Sequence, residues 1–117
     1  MTLLARPART GGPRVFGPER PPHPVNVGCL QIVLHVPDAQ SLKDKRRIVR
    51  GLLDRVRDRF QVAAAEVDDQ DAWQSAVVGF SCVSSDARHA ASVMEKVLAF
   101  VRETPAARVI EHELETL

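Results

Sequence analysis

VNVGCLQIVLHVPDAQSLKDKRRIVRGLLDRVRDRF, residues Val25–Phe60, decides the fold. Its first half alternates. Leu30, Ile32, Leu34 and Val36 share one phase, and Cys29, Gln31, Val33 and His35 share the other. That predicts a strand over Val25–Val36 with one buried face. Pro37 and Asp38 end it. The second half changes period. Ser41, with Asp44 three residues on, has the spacing of a capping box. Val49, Leu52, Leu53, Val56 and Phe60 then recur at helical intervals as an apolar stripe. Lys43, Arg46, Arg47, Arg50 and Arg57 fall on the opposite side, and Lys45 falls near the apolar side in the first turn. Gly51 lowers helix stability by about 1 kcal/mol relative to Ala. A close packing contact is the one reason the pattern offers for it.

The rest of the chain extends this unit. Gln61–Val67 reads as a second strand, short and Ala-rich, and Asp68–Asp71 as a polar turn. Trp73–Val83 is a third strand, with Ala76, Val78, Phe80 and Cys82 in one phase. Ser84–Asp86 supplies caps for a second helix, Ala87–Glu103, with a stripe of Ala90, Val93, Met94, Val97 and Val101. Pro105 follows its end, and Arg108–Leu117 is a last strand. The order βαββαβ predicts an α+β, ferredoxin-like fold, a four-stranded antiparallel sheet with two helices on one face. Right-handed crossovers place the first and third strands in the centre. Leu30, Ile32, Leu34, Val78 and Phe80 then face the helices. Gln31, Val33, His35, Ser75, Val77, Glu111 and Glu113 lie on the opposite, open face.

A length of 117 residues fits one domain. Residues 1–24 stand apart as a tail. They hold six of the eight prolines and three of the six glycines, with Arg6, Arg9, Arg14 and Arg20 against Glu19. Such a composition buries too little apolar area to offset the entropy of ordering it, so the tail is expected to be disordered. The ferredoxin-like domain is then 25–117. The tail has no continuous apolar stretch of roughly 7–15 residues, as a secretory signal requires. Its prolines oppose the helix of an Arg-rich organellar presequence. No apolar run of about 18 residues is present to span a membrane. The folded pattern begins at Val25, and a GTG codon can start translation. Val25 is therefore a candidate initiator, which N-terminal sequencing of the native product decides.

Few residues suggest reaction chemistry. Cys29 and Cys82 are the only cysteines, and alternation points them to opposite sides of the sheet, so no disulfide joins them. Two buried or half-buried thiols fit a reducing, cytoplasmic setting. The nearest base for Cys29 is His35, six residues along a strand and so roughly 20 Å away. Glu66, Asp68, Asp69 and Asp71 form an acidic cluster that could hold Mg²⁺ or Ca²⁺. Asp is also a favoured turn residue, and neither the spacing nor the glycine of a calcium loop is present, so a plain turn is the stronger reading. His23, His35, His89 and His112 are scattered and lack metal-site spacing. There is no Gly-rich phosphate loop, GxSxG or CxxC motif. No cofactor, metal or catalytic role is assigned. An enzyme is the weakest reading, with His35, Glu66 and Asp69 as its candidates.

The first helix is the exception. Ser41–Arg59 carries eight Lys/Arg and three Asp in a chain whose formal net charge is +1. A solvated outer face is the default meaning of such a helix. Here the acids sit elsewhere, at Glu66–Asp71 and Glu111–Glu115, so the molecule is polarised. A basic helix on a phosphate backbone gives affinity without sequence readout. Base stacking on the open sheet face is disfavoured. Its central strands offer no Phe or Tyr there, and Glu111, Glu113 and Glu115 would repel phosphate. Trp73 is in the open-face phase at the start of its strand, where a packing anchor is the ordinary role.

GCLQIVLHVPDAQSLKDKRRIV, AEVDDQDAWQSAVVG and VSSD, in this order and spacing, resemble the bacterial YlxP-like family of small uncharacterised proteins. The resemblance runs from Val25 to the C-terminus. Gly51 and Ala72 are departures from its pattern, and the tail matches nothing in it. The family implies a ferredoxin-like fold and no established activity. Its members are encoded, in several bacteria, among translation-initiation and ribosome-maturation genes, which implies a link to RNA or the ribosome. Two expectations follow. One is a non-enzymatic binding protein that docks Lys43, Arg46, Arg47, Arg50 and Arg57 on structured RNA or the ribosome. The other is a self-associating or partner-binding module, a homo-oligomer whose open face, with Val33 and Val77, is covered by another chain.

Overall fold

The computed structural model describes residues 24–68 and 72–117. The tail assigned to 1–24 lies, except for Pro24, outside the described residues, and so do Asp69 and Asp71 of the acidic turn.

Strand β1 (Asn26–His35) leads into helix α1 (Leu42–Phe60), followed by β2 (Ala63–Asp68), β3 (Ser75–Ser84), α2 (Ala87–Arg102) and β4 (Arg108–Thr116). The sheet order is β2-β3-β1-β4, with antiparallel neighbours throughout. This is the expected ferredoxin-like arrangement, with β1 and β3 central. Leu30 pairs with Phe80, Ile32 with Val78 and Leu34 with Ala76. All six are buried and pack under the helices with Val49, Leu52, Val56, Met94, Val97 and Val101. Gln31 pairs with Gly79 and Glu113, and Val33 with Val77 and Glu111, on the other face.

Local chemistry sets the helix ends. Ser41 caps α1, its Oγ accepting from the Asp44 N–H at 3.0 Å. Asp44 returns one oxygen to the Gln40 N–H at 3.3 Å, one residue before the cap. The helix closes on Gln61, whose φ of 54° is the one left-handed non-glycine conformation among the described residues. Its N–H donates to the Arg57 carbonyl at 2.9 Å. Asp86 caps α2 through the Arg88 N–H. Phe60 and Phe100 join the two helices edge to face, centroids 5.6 Å apart, and the Arg59 guanidinium lies over both rings.

The glycines divide. A Cβ on Gly28 would meet the Ala90 carbonyl oxygen at 2.7 Å, so this glycine permits β1 to approach α2. A Cβ on Gly51 would meet only the Arg55 guanidinium, at 3.6 Å. The close contact expected at Gly51 is absent, because that position faces away from the sheet.

Two strand starts lie two residues later than expected, and the other strand ends agree within one residue. β2 begins at Ala63 because Gln61 is spent on the helix cap. β3 begins at Ser75, leaving Trp73 in the bend before it, 52% exposed. The indole is not the packing anchor that its pattern suggested. Among the described residues no helix is long and apolar enough to cross a membrane.

Candidate nucleic-acid interface

Helix α1 divides by periodicity into a buried stripe and a basic outer row. Lys43, Arg46, Arg47 and Arg50 are exposed and line one shallow depression with Asp44. Their spacing of three, four and seven residues keeps them on one face. Arg47 reaches Asp44 at 3.6 Å, a loose surface pair. Among the described residues Lys43, Arg46 and Arg50 have no carboxylate partner. These cations crowd the N-terminal half of α1, where the helix dipole already favours anions. An incoming phosphate would relieve both mutual repulsion and the dipole.

Arg57 does not join them. It lies two turns further on, about 10 Å along the axis from Arg50. It is held by Asp54 at 2.9 Å and donates to the Ala64 carbonyl of β2. Its hydrogen-bonding capacity is directed at the β2 edge, so the shared basic depression consists of four cations.

Lys45 is the residue whose environment sequence reading missed. It is fully buried, with its Nζ 2.9 Å from Glu66 Oε2 and 3.3 Å from the Ser75 carbonyl. Glu66, from the core-facing phase of β2, is 15% exposed. The ion pair fastens the first turn of α1 to the β2–β3 hairpin. It occupies a carboxylate that the enzyme reading had counted as a candidate. The signal was present in two parts: Lys45 on the apolar side of the helix, and Glu66 in the inward phase of its strand.

The other candidates are dispersed. His35 Nδ1 lies 3.1 Å from the Gln74 carbonyl, a bond that requires the proton on Nδ1. His112 lies 3.2 Å from an Arg102 nitrogen, and His89 is exposed on α2. Among the described residues no three His, Cys, Asp or Glu side chains are grouped to hold a metal ion. Cys29 is buried in the open-face phase, while Cys82 is half-buried and its Sγ lies 3.7 Å from the Ala90 carbonyl. Both are free thiols. Burial pushes the Cys29 thiol up, helped by Glu115 and Cys82, which disfavours the thiolate a nucleophile needs.

The open face carries a shallow groove of about 530 Å³. Its floor is Cys29, Val77 and Gly79, with Ala63 and Val67 on one side and Glu113 and Glu115 on the other. The glutamate row gives this face the opposite charge to α1.

Residues 27–114 match the family described as Protein of unknown function (DUF503). The chain belongs to that family. It is also 34% identical over 79 residues to the uncharacterized protein YlxP of Bacillus subtilis (strain 168), covering 68% of this chain and 86% of the relative. The family match spans both strands that hold the Lys45–Glu66 pair in place, the basic helix, and Glu111 and Glu113 of the glutamate row. It ends at Leu114, three residues short of the C-terminus.

Proposed function

We propose that this DUF503 protein is a non-enzymatic binding protein that docks the Lys43, Arg46, Arg47 and Arg50 face of α1 on structured RNA, of the kind a ribosome presents. One observation carries the reading: four exposed cations share one depression, and the acids of the open face lie on the far side of the sheet. Phosphate contacts of this sort position a protein without reading bases. Arg57 is peripheral, since Asp54 and the Ala64 carbonyl already engage it.

The test is binding of a structured RNA as a function of salt. With about four phosphate contacts, log K falls with log salt at a slope of roughly −3 to −4. Arg46→Glu with Arg50→Glu should weaken binding and flatten that slope, whereas Arg57→Ala should do little. Absence of RNA binding at 50 mM salt, or binding indifferent to Arg46 and Arg50, defeats the proposal.

A second reading is favoured by the groove on the open face, with Val67 48% and Val83 71% exposed beside it. A second copy of the chain would cover this apolar surface. Light scattering decides it, because a strict monomer at high concentration excludes the homo-oligomer.

A further inference from the structure

We infer that Trp73 is a stacking platform for an unpaired nucleotide of the RNA held by α1. The inference rests on the RNA reading above and adds a ligand class, namely RNA with an unpaired base beside its phosphate contacts.

The fold brings the indole to the same end of the molecule as the cations. β1 ends there, α1 begins there and the β2–β3 hairpin turns there. Gln74, the next residue, donates from Nε2 to the Pro37 and Ala39 carbonyls at 3.3 and 3.2 Å. Its own carbonyl accepts from the Val36 N–H at 3.0 Å. Pro37 and Ala39 belong to the loop that delivers Ser41, the α1 cap. One residue further, the Ser75 carbonyl accepts from Lys45, in the first turn of α1 beside Lys43 and Arg46. Trp73 is therefore pinned by its neighbours to the β1–α1 loop and to the first turn of the basic helix.

The indole itself is covered only in part by the fold. It is 52% exposed, and among the described residues it has no hydrogen bond and no aromatic partner. Phe60 and Phe100, by contrast, are committed to each other between the helices. A large rigid ring, anchored through its backbone neighbours and exposed at the end of the sheet where the basic helix begins, supplies the stacking component of single-strand recognition, and α1 supplies the cationic one. The hairpin also carries Asp68, the last residue of β2. The Asp68 carboxylate repels a phosphate, so the hairpin meets the base while α1 meets the backbone.

Trp73 is the sole tryptophan, so its emission reports on this site alone. The full chain is titrated at 50 mM salt with an RNA hairpin bearing an unpaired loop, and with a blunt RNA duplex of equal length. The expected result is a change in tryptophan emission with the loop RNA that the duplex does not produce. Trp73→Ala should weaken loop binding about 5- to 150-fold and leave duplex binding unchanged, the range found for base–aromatic stacking. Trp73→Phe should restore most of the loss, and the unchanged duplex binding of Trp73→Ala separates lost stacking from a folding defect. If the loop RNA binds with steep salt dependence but emission is unmoved, or Trp73→Ala is neutral, the stacking role is overturned and the RNA reading stands. If neither RNA binds, both fall.

Discussion

A lysine with no exposed surface is rare, and Lys45 shows what makes one tolerable. Its ammonium lies between a carboxylate and a carbonyl, and its stem belongs to the buried stripe of α1 together with Val49. Removing one partner leaves a charge in the protein interior. Lys45→Ala should cost about 3–5 kcal/mol, while Lys45→Met combined with Glu66→Leu should recover much of that loss. Urea unfolding of the single and double variants measures the difference. A double variant no better than the single one would show that the pair itself contributes the stability. The thiols make a second residue-scale prediction. Cys82 should be alkylated by iodoacetamide before Cys29 in the native protein, as mass spectrometry of the labelled chain would show. The raised Cys29 value also has a sign. The folded state keeps this proton where the unfolded chain begins to lose it. The stability from Cys29 is full below the unfolded value and is lost as pH rises through the folded one. Cys29→Ala should flatten the decline in stability on the alkaline side.

At the scale of elements, the period of each segment was legible and the meeting of segments was not. The alternation of β1, the Ser41 cap and the α1 stripe all follow from spacing along one segment. The Lys45–Glu66 pair joins residues 21 apart and depends on where the hairpin folds back. The Gln61 cap carries no glycine to announce it, and only the geometry of the α1–β2 connection requires it. Gly51 misled for the opposite reason, since a helical glycine invites a packing explanation. Gly51→Ala should stabilise the domain by about 1 kcal/mol. For a domain of this size that raises Tm by about 4–8 °C. Gly28→Ala should do the reverse by about 1–3 kcal/mol, because the new methyl meets helix backbone that cannot rotate away. Thermal melts of the two variants should therefore move in opposite directions. A stabilising Gly28→Ala would mean that β1 and α2 are free to part.

Over the described molecule, α1 and the open face of the sheet carry opposite charge. The outer row of α1 is cationic, and β4 presents Glu111, Glu113 and Glu115 beyond the other side of the sheet. The two sheet edges are guarded in different ways. Arg57 covers the Ala64 carbonyl on β2, and a second β4 pairing antiparallel with the first would bring glutamate rows together. The glutamates thus discourage strand addition and also weaken the field that α1 projects toward a polyanion. Replacing all three by Gln raises the formal net charge from +1 by three units. The change leaves the α1 depression untouched, so any gain in polyanion affinity must come through the long-range field. The triple variant should elute later than the parent protein from a heparin column in a shallow salt gradient. Its association with RNA should be faster at 20 mM salt, where the Debye length exceeds the separation of neighbouring side chains. The two proteins should converge near 0.3 M, where screening confines interactions to direct contacts. An advantage that persists at high salt would instead place the glutamates within the contact surface, and would move the binding face from α1 to the open sheet.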